Sequence, residues 1–450
     1  NSAGETVRGR CERFVERRWA ELYEAARNHP TPPRAAASPR PSVSQALQQA
    51  ATLAIRGNLK SSRLLLEAID NPPPATAPHR TALLSLRNLQ FQPMPDDLHE
   101  LREPLRSVYH RHAMGNQGLQ LLAGADIDNM INFPPMGRSA DLAGHRYEHW
   151  GAVQHSAAGR AALHTILQLA AAADLGGRLD PWHTDTQSVH LDSVSALTGL
   201  PKTDTTLRPI CNPMVVRKAS GRLLLLPLRP QLSVRFAHSN QLLLAKDGCL
   251  IMGLLLRIIH ACHPNWVIVT TDKSAAFQRI SRNAIRRFLL DNAPHMVPYF
   301  ERYYSGSSRL FWQGETLLSH TGTQQGCAGG SVFYAGGDLQ QQDALLQAAT
   351  GVVILATADD KNFLGEAGPT ADTVMHLRKL AAEDNEKLNM GKCHMWSHSE
   401  TTYAELLRLR NVGRLPDDIN IHPPHEGVHI LQLPHGGDDF VQQELRRHSA

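Results

Sequence analysis

Two adjacent aspartates, Asp359 and Asp360, stand between an apolar run, Val352-Val353-Ile354-Leu355-Ala356-Thr357, and a second, shorter one, Phe363-Leu364. The pattern predicts strand, tight turn, strand. It constrains the chain more than any other stretch, because it puts two carboxylates at one hairpin tip, where they repel and raise each other's pKa. A cation between them or surrounding water relieves that repulsion. An isolated Asp-Asp pair is ordinarily a solvated turn, but flanks this apolar do not suit a surface hairpin and point to a metal site.

A third acid supports that reading. Val267-Ile268-Val269-Thr270-Thr271-Asp272 is a β-branched run ending in a carboxylate, followed by Lys273-Ser274-Ala275-Ala276-Phe277 and a helix-like segment over 281–290. Asp272 alone would read as a helix N-cap or turn residue; it is the Asp359-Asp360 motif that favours a metal ligand. A strand ending in Asp272 beside the hairpin tip would gather three carboxylates, a donor set suited to Mg²⁺. Two such ions about 3.5–4 Å apart activate an attacking hydroxyl and stabilise a leaving pyrophosphate. Between the acids lies Thr321-Gly322-Thr323-Gln324-Gln325-Gly326-Cys327-Ala328-Gly329-Gly330. Its small residues permit close backbone approach to a ligand, and Gln325 offers both a donor and an acceptor. It lacks the lysine and spacing of a phosphate-binding P-loop.

In order and spacing these segments resemble a reverse transcriptase of a non-LTR retrotransposon, of the site-specific type with a restriction-like endonuclease. Asp272 to Phe277 resembles the first catalytic motif, Gly322 to Cys327 the Gln-Gly-Cys motif, and Ala358-Asp359-Asp360 the Tyr-x-Asp-Asp box. Leu388-Asn389-Met390-Gly391-Lys392-Cys393 and Leu207-Arg208-Pro209-Ile210 resemble further motifs, and Glu426 to Leu431 with Pro434-His435-Gly436 resembles the primer-gripping segment. The likeness spans roughly residues 130–445, and more faintly 42–95. It implies an α+β fold: a right-hand polymerase with palm and fingers, preceded by a helical N-terminal extension. The expected divisions are 1–95 for the extension with its Pro-rich linkers, 96–260 for fingers and lead-in, and 261–450 for the palm. The palm is expected to be an antiparallel sheet backed by helices, and the thumb absent or truncated, as in a fragment.

The resemblance implies RNA-directed DNA synthesis with two Mg²⁺ ions, Mn²⁺ being an alternative. Asp272 and Asp359 would ligate both metals, with Asp360 close by and the Lys273 carbonyl as an added ligand. Phe277 would pack under the sugar and exclude a 2′-hydroxyl. Gln325 and Gly326 would line the nucleotide pocket. Arg208, Arg217 and Lys218 could neutralise a triphosphate, guanidinium forks suiting phosphate oxygens, and each reads equally as an ordinary surface charge. Lys392 would sit near the triphosphate, and Gly427, Leu431 and Gly436 would belong to the primer grip. Partners would be an RNA template, a DNA primer or target DNA, and dNTPs, in the nucleus after transit through the cytoplasm. The chain departs from the pattern at Thr357, where relatives carry Tyr, and at Ala328-Gly329, where they carry Pro-Leu. A catalytically degenerate or domesticated copy that binds nucleic acid is therefore the alternative.

Composition agrees. The chain has 450 residues, enough for two or three domains, with 46 Lys and Arg against 42 Asp and Glu and a net charge of +4. That balance permits phosphate contacts and equally suits an ordinary surface. No run of 18 apolar residues predicts a membrane span. The six cysteines form no Cys-x-x-Cys pair, which argues for reduced thiols rather than a disulfide framework or zinc finger. The histidines at 394 and 398, and at 422, 425 and 429, read as loop or surface residues, since Pro423-Pro424 forbids a helical zinc-binding face.

Overall fold

The computed structural model describes residues 100–450, apart from 110–121, 136–139, 154, 173–193, 202–206, 306–307, 313–314, 385, 432 and 450. The chain divides into two compact units, Asn1–Thr76 and Ala77–Ala450, and every described residue belongs to the second. The Arg-rich segment over 7–28, the Pro-rich linkers and the helical pair over 44–69 lie outside the described residues.

The architecture is mixed α+β. Helices α1 (Arg102–Tyr109), α2 (Gly124–Asn132) and α3 (Ala157–Ala171) precede strands β1 (Ser195–Pro201) and β2 (Leu207–Pro213). Helices α4 (Val215–Leu225), α5 (Arg229–His238) and α6 (Gly248–Cys262) follow, then β3 (Val267–Thr270). Next come α7 (Ala276–Arg279), α8 (Arg282–Asn292), α9 (Val297–Tyr304), β4 (Ser308–Trp312), β5 (Glu315–Ser319) and α10 (Gly330–Ala348). The chain continues through β6 (Val352–Thr357), β7 (Asp360–Gly365), α11 (Ala367–Glu383), β8 (His394–Trp396), α12 (Glu400–Asn411) and β9 (Asn420–His422). It closes with β10 (Gly427–Ile430), β11 (Leu433–Gly436) and α13 (Asp438–Ser449).

The strands form a four-stranded sheet in the order β2-β1-β4-β5, a five-stranded sheet in the order β6-β7-β3-β8-β9, and a hairpin of β10 and β11. In the five-stranded sheet β6, β7, β3 and β8 run antiparallel, as expected, but β9 joins β8 in parallel. The cause is the connection: α12 carries the chain back across the sheet between β8 and β9, and a crossover of that kind returns a strand in the same direction. Strand β3 is central because Val267, Ile268 and Val269 are β-branched and fully buried, which suits a strand packed on both faces. Alternation sends Val267 and Val269 into a core with Ile354, Phe363 and residues of α11 and α12. Ile268 goes the other way, into a core with Met252 and Leu256 of α6, Trp396, Val428 and Ile430. A third core gathers α1 to α5 with α8, α9 and α10. No helix among the described residues is long and apolar enough to cross a membrane.

Candidate functional site: a carboxylate cluster at one sheet end

The register of β3 and β7 assembles the site. Val267 pairs with Gly365 and Thr270 with Asn362, and the Thr271 amide and hydroxyl both donate to the Lys361 carbonyl, at 3.1 and 2.9 Å. Continuing that register sets Asp272 opposite Asp360. Strands β6 and β7 close through a two-residue loop, since Thr357 pairs directly with Asp360, leaving Ala358 and Asp359 at the tip. Such loops require a positive φ, and Ala358 supplies it with φ +53°. The three aspartates therefore meet at one end of the sheet, on the face that carries Ile268 and Leu364. Asp272 caps no helix; the N-cap of α7 is Ala275.

Electrostatics mark the cluster as unrelieved. Burial lifts the Asp359 carboxyl above its ordinary range, and the charge of Asp272 adds to the effect. Asp360, although its outer edge is open to solvent, is pushed up to about 6 by burial, by Asp359 and by Asp272, with Arg208 pulling the other way. Among the described residues no three His, Cys, Asp or Glu side chains converge tightly enough to form a ready metal cage. The aspartates are neighbours whose charges act on one another, rather than a closed coordination sphere.

One residue along, on the opposite face, each buried charge has a partner of opposite sign, although Glu386 Oε1 and Gln342 Nε2 are buried without a hydrogen bond. Lys273 donates to Asp338 Oδ1 and to Gln341 Oε1, both at 2.7 Å, and is ion-paired with Glu386. Lys361 is ion-paired with the other oxygen of Asp338 and donates to Gln342 Oε1 at 2.6 Å. All four charged residues are buried, Lys361 completely. Burial works against every charge here. Asp338 is nevertheless held below its usual range by the two ammonium groups, and Lys273 is raised by Asp338 and Glu386, whereas for Lys361 burial prevails and its pKa falls. The Lys273 side chain thus points away from the carboxylates, and only its backbone runs beside them. Its backbone bridges Leu388, and the Asn389 amide donates to the Asp272 carbonyl at 2.8 Å, which draws the loop with exposed Lys392 towards Asp272.

The other expected residues divide. Phe277 stacks on Tyr334 of α10 with centroids 4.9 Å apart, and its carbonyl accepts from Thr323 at 2.7 Å. That bond ties the first acid motif to the glycine-rich loop. Arg282, which sequence reading passed over, sets the loop's shape by donating to the carbonyls of Ser319, Thr321, Gly322 and Tyr304. Gln325 accepts from Cys211 of β2 through its carbonyl at 2.7 Å, and its buried Oε1 has no hydrogen-bond partner. Gly326 adopts φ +98°, and a Cβ there would lie 2.1 Å from the Cys211 carbonyl, so only glycine fits. Arg208 is exposed on β2, and Asp360 feels its charge.

Arg217 and Lys218 are placed otherwise. Arg217 is completely buried, 4.3 Å from the Tyr303 ring centroid, with its guanidinium reaching Cys327 Sγ at 3.7 Å and Ser195 Oγ at 3.4 Å. It joins α4 to α9, β1 and the Gln-Gly-Cys loop, so a triphosphate would not reach it. Lys218 donates to Asn212 at 2.6 Å and is half-buried. Gly427 and Gly436 pair at the open end of the β10–β11 hairpin, where a Cβ on either would lie 2.6 Å from the Phe440 ring. Their absent side chains seat α13. Leu431 turns the hairpin with φ +50°. Val428 and Ile430 pack the hairpin onto the carboxylate-bearing face. Thr357, where the resembled box has Tyr, is buried, and its hydroxyl lies 3.8 Å from Met252 Sδ.

His398, His425 and His429 are exposed, as the surface reading expects, whereas two of the histidines are half-buried and tied together. His394 of β8 and His422 of β9 share a hydrogen bond of 2.8 Å, and His422 continues to Glu426 at 2.9 Å. No family model and no curated protein matches this chain.

Proposed function

We propose that the chain is an RNA-directed DNA polymerase, the five-stranded sheet serving as palm and the four-stranded sheet as part of the fingers. The observation that carries this reading is the β3–β7 register. It puts Asp272, Asp359 and Asp360 at one end of one face, while the lysines beside them are consumed by Asp338 on the other.

The residues present fit a pair of divalent cations in donor chemistry: hard carboxylate oxygens, unpaired and crowded enough to favour a neutralising charge. Asp272 and Asp359 would hold the metals, with Asp360 adjacent. When bound, the ions would activate the primer hydroxyl and neutralise charge on the leaving pyrophosphate. The chain's own groups do the rest. Arg208, exposed and facing Asp360, supplies a positive charge for phosphate. Gln325 and Gly326 lie on the loop that would line the nucleotide pocket. Phe277, held against Tyr334, forms a rigid floor under a sugar, and Lys392 sits on a loop tied to Asp272. The β10–β11 hairpin would lie along a primer.

The test is single-nucleotide extension of a DNA primer on an RNA template with Mg²⁺, comparing dNTP with NTP, in the natural chain and in Asp359→Asn. The expected result is dNTP-selective extension, lost in a variant that still folds. Extension unaffected by Asp359→Asn would overturn the assignment. Template binding with no extension under any metal would mark a nucleic-acid-binding protein instead.

A further inference from the structure

Gln241 belongs to no motif, yet it grips the turn that carries the aspartates. Helix α5 ends at His238, and its end is anchored to α10: Arg235 and Ser239 both donate to Asp343, at 2.7 and 2.5 Å. Asn240 then adopts φ +53°, a left-handed conformation that asparagine tolerates at helix ends. The reversal lays the chain against β6. The Leu242 amide donates to the Ala356 carbonyl at 2.7 Å, and the Ala356 amide to the Asn240 carbonyl at 2.9 Å.

From there the Gln241 side chain reaches the hairpin tip. Its Oε1 accepts from the Ala358 amide at 2.8 Å, and its Nε2 donates to the Ala358 carbonyl at 3.1 Å. Both polar groups of one residue are thus held by one amide, and Gln241 is only 2% exposed, so water does not compete. The residue so held needs holding. Ala358 has a φ that alanine rarely adopts, at a loop position ordinarily filled by Gly, Asn or Asp. Asp359 follows directly, and Asp360 comes next.

We infer that Gln241 is a positioning residue, which fixes Ala358 in its left-handed conformation and thereby aims Asp359 and Asp360. The inference rests on the polymerase reading of the site. Gln241 itself touches neither substrate nor metal. Its removal frees the tip to relax towards a conformation that alanine prefers, which moves the aspartates without unfolding the sheet.

The test uses the full chain with Gln241→Met, which keeps length and apolar packing but loses both hydrogen bonds to Ala358, together with the 3.2 Å bond that Oε1 accepts from the Leu243 amide. Gln241→Asn, one methylene too short to span both Ala358 groups, serves if the Met variant does not melt cooperatively. Three readouts are taken: exchange of the Ala358 amide by NMR, Mn²⁺ affinity by electron paramagnetic resonance, and steady-state primer extension. The expected result is faster Ala358 exchange, weaker Mn²⁺ binding and a kcat reduced on the order of tenfold to a hundredfold, the scale of a small misplacement of reacting groups. KM for primer–template should not change. Adding Ala358→Gly to Gln241→Met should restore most of the kcat, because glycine holds the turn without help, whereas a merely structural role would show no such rescue. Natural kcat and Mn²⁺ affinity in a folded Gln241 variant would overturn the inference. If the natural chain shows slow Ala358 exchange but Asp359→Asn leaves Mn²⁺ binding unchanged, the clamp stands and the polymerase reading beneath it falls, taking the positioning role with it.

Discussion

The two faces of the five-stranded sheet treat charge in opposite ways at the same end of the same strands. On one face Asp272, Asp359 and Asp360 crowd together, and two of them are held above the ordinary carboxylate range by burial and mutual repulsion. On the other, one residue along each strand, Lys273 and Lys361 are buried against Asp338, Glu386, Gln341 and Gln342. Strand alternation makes the separation possible, since neighbouring side chains leave on opposite sides. The contrast teaches how to sort charged residues in this protein. Where every charge has a partner the arrangement is architectural, and where like charges stand together the partner must come from outside.

Breaking the paired face should have the largest effect. Asp338→Ala leaves two buried ammonium groups without their shared carboxylate, and removing one partner from such a set costs about 3–5 kcal/mol. Urea denaturation of the variant should show that loss; a change within error would mean the network is not holding the strands. A second break comes from the hairpin packed on the carboxylate face. His435 is 5% exposed, and burial, with Arg257, His260 and His429 nearby, depresses its pKa to about 4. An unfolded histidine titrates near 6.5. As pH falls from about 6.5 towards 4, the unfolded chain takes up a proton that the folded chain refuses, so stability is lost across that window, by at most about 3 kcal/mol. His435→Gln should flatten the slope, which denaturation at stepped pH will check.

Two smaller effects sharpen the comparison. Replacing Lys273, Lys361, Asp338 and Glu386 together with apolar residues of similar size removes the paired charges as a set. Stability should then return to within about 1 kcal/mol of the natural chain or rise above it, as for other buried ion networks. Failure to regain it would show that the charges also specify the packing. On the unpaired face, Asp359→Asn relieves repulsion and should leave stability unchanged or raise it by up to about 0.5 kcal/mol, measured by thermal melting without divalent cations. A clear loss would mean that Asp359 has a structural partner after all.

The carboxylates were legible because their signal is local: a β-branched run ending in acid, and an acid pair between two strands. The geometry that supports them was not. Gln241 and Ala358 are separated by 117 positions, and Lys273 and Asp338 by 65, so nothing in the neighbourhood of either predicts the other. Lys361 reads as a break in an apolar run rather than as a buried cation. Arg217 fails for the converse reason. Basic residues beside a proposed phosphate site invite a binding role, but α4 is buried around much of its circumference, with Val215, Ala219, Ser220, Gly221 and Leu223 all inside. Thr357 reads from sequence only as a departure from Tyr, and the fold alone shows that it is buried with its hydroxyl against Met252 of α6. Putting Tyr there would overfill a packed position.

Strand β3 carries a consequence for synthesis of the chain. It holds the first aspartate, yet both of its neighbours are made later: β7 ends at Gly365, and β8 at Trp396. On the ribosome, this β-branched segment must wait roughly a hundred residues for a partner, several seconds or more at ordinary elongation rates of about 5–20 residues per second. Until then both edges of that strand are open to pairing with another chain. Slowed translation between residues 270 and 396 should therefore lower soluble yield, even though the finished protein is the same.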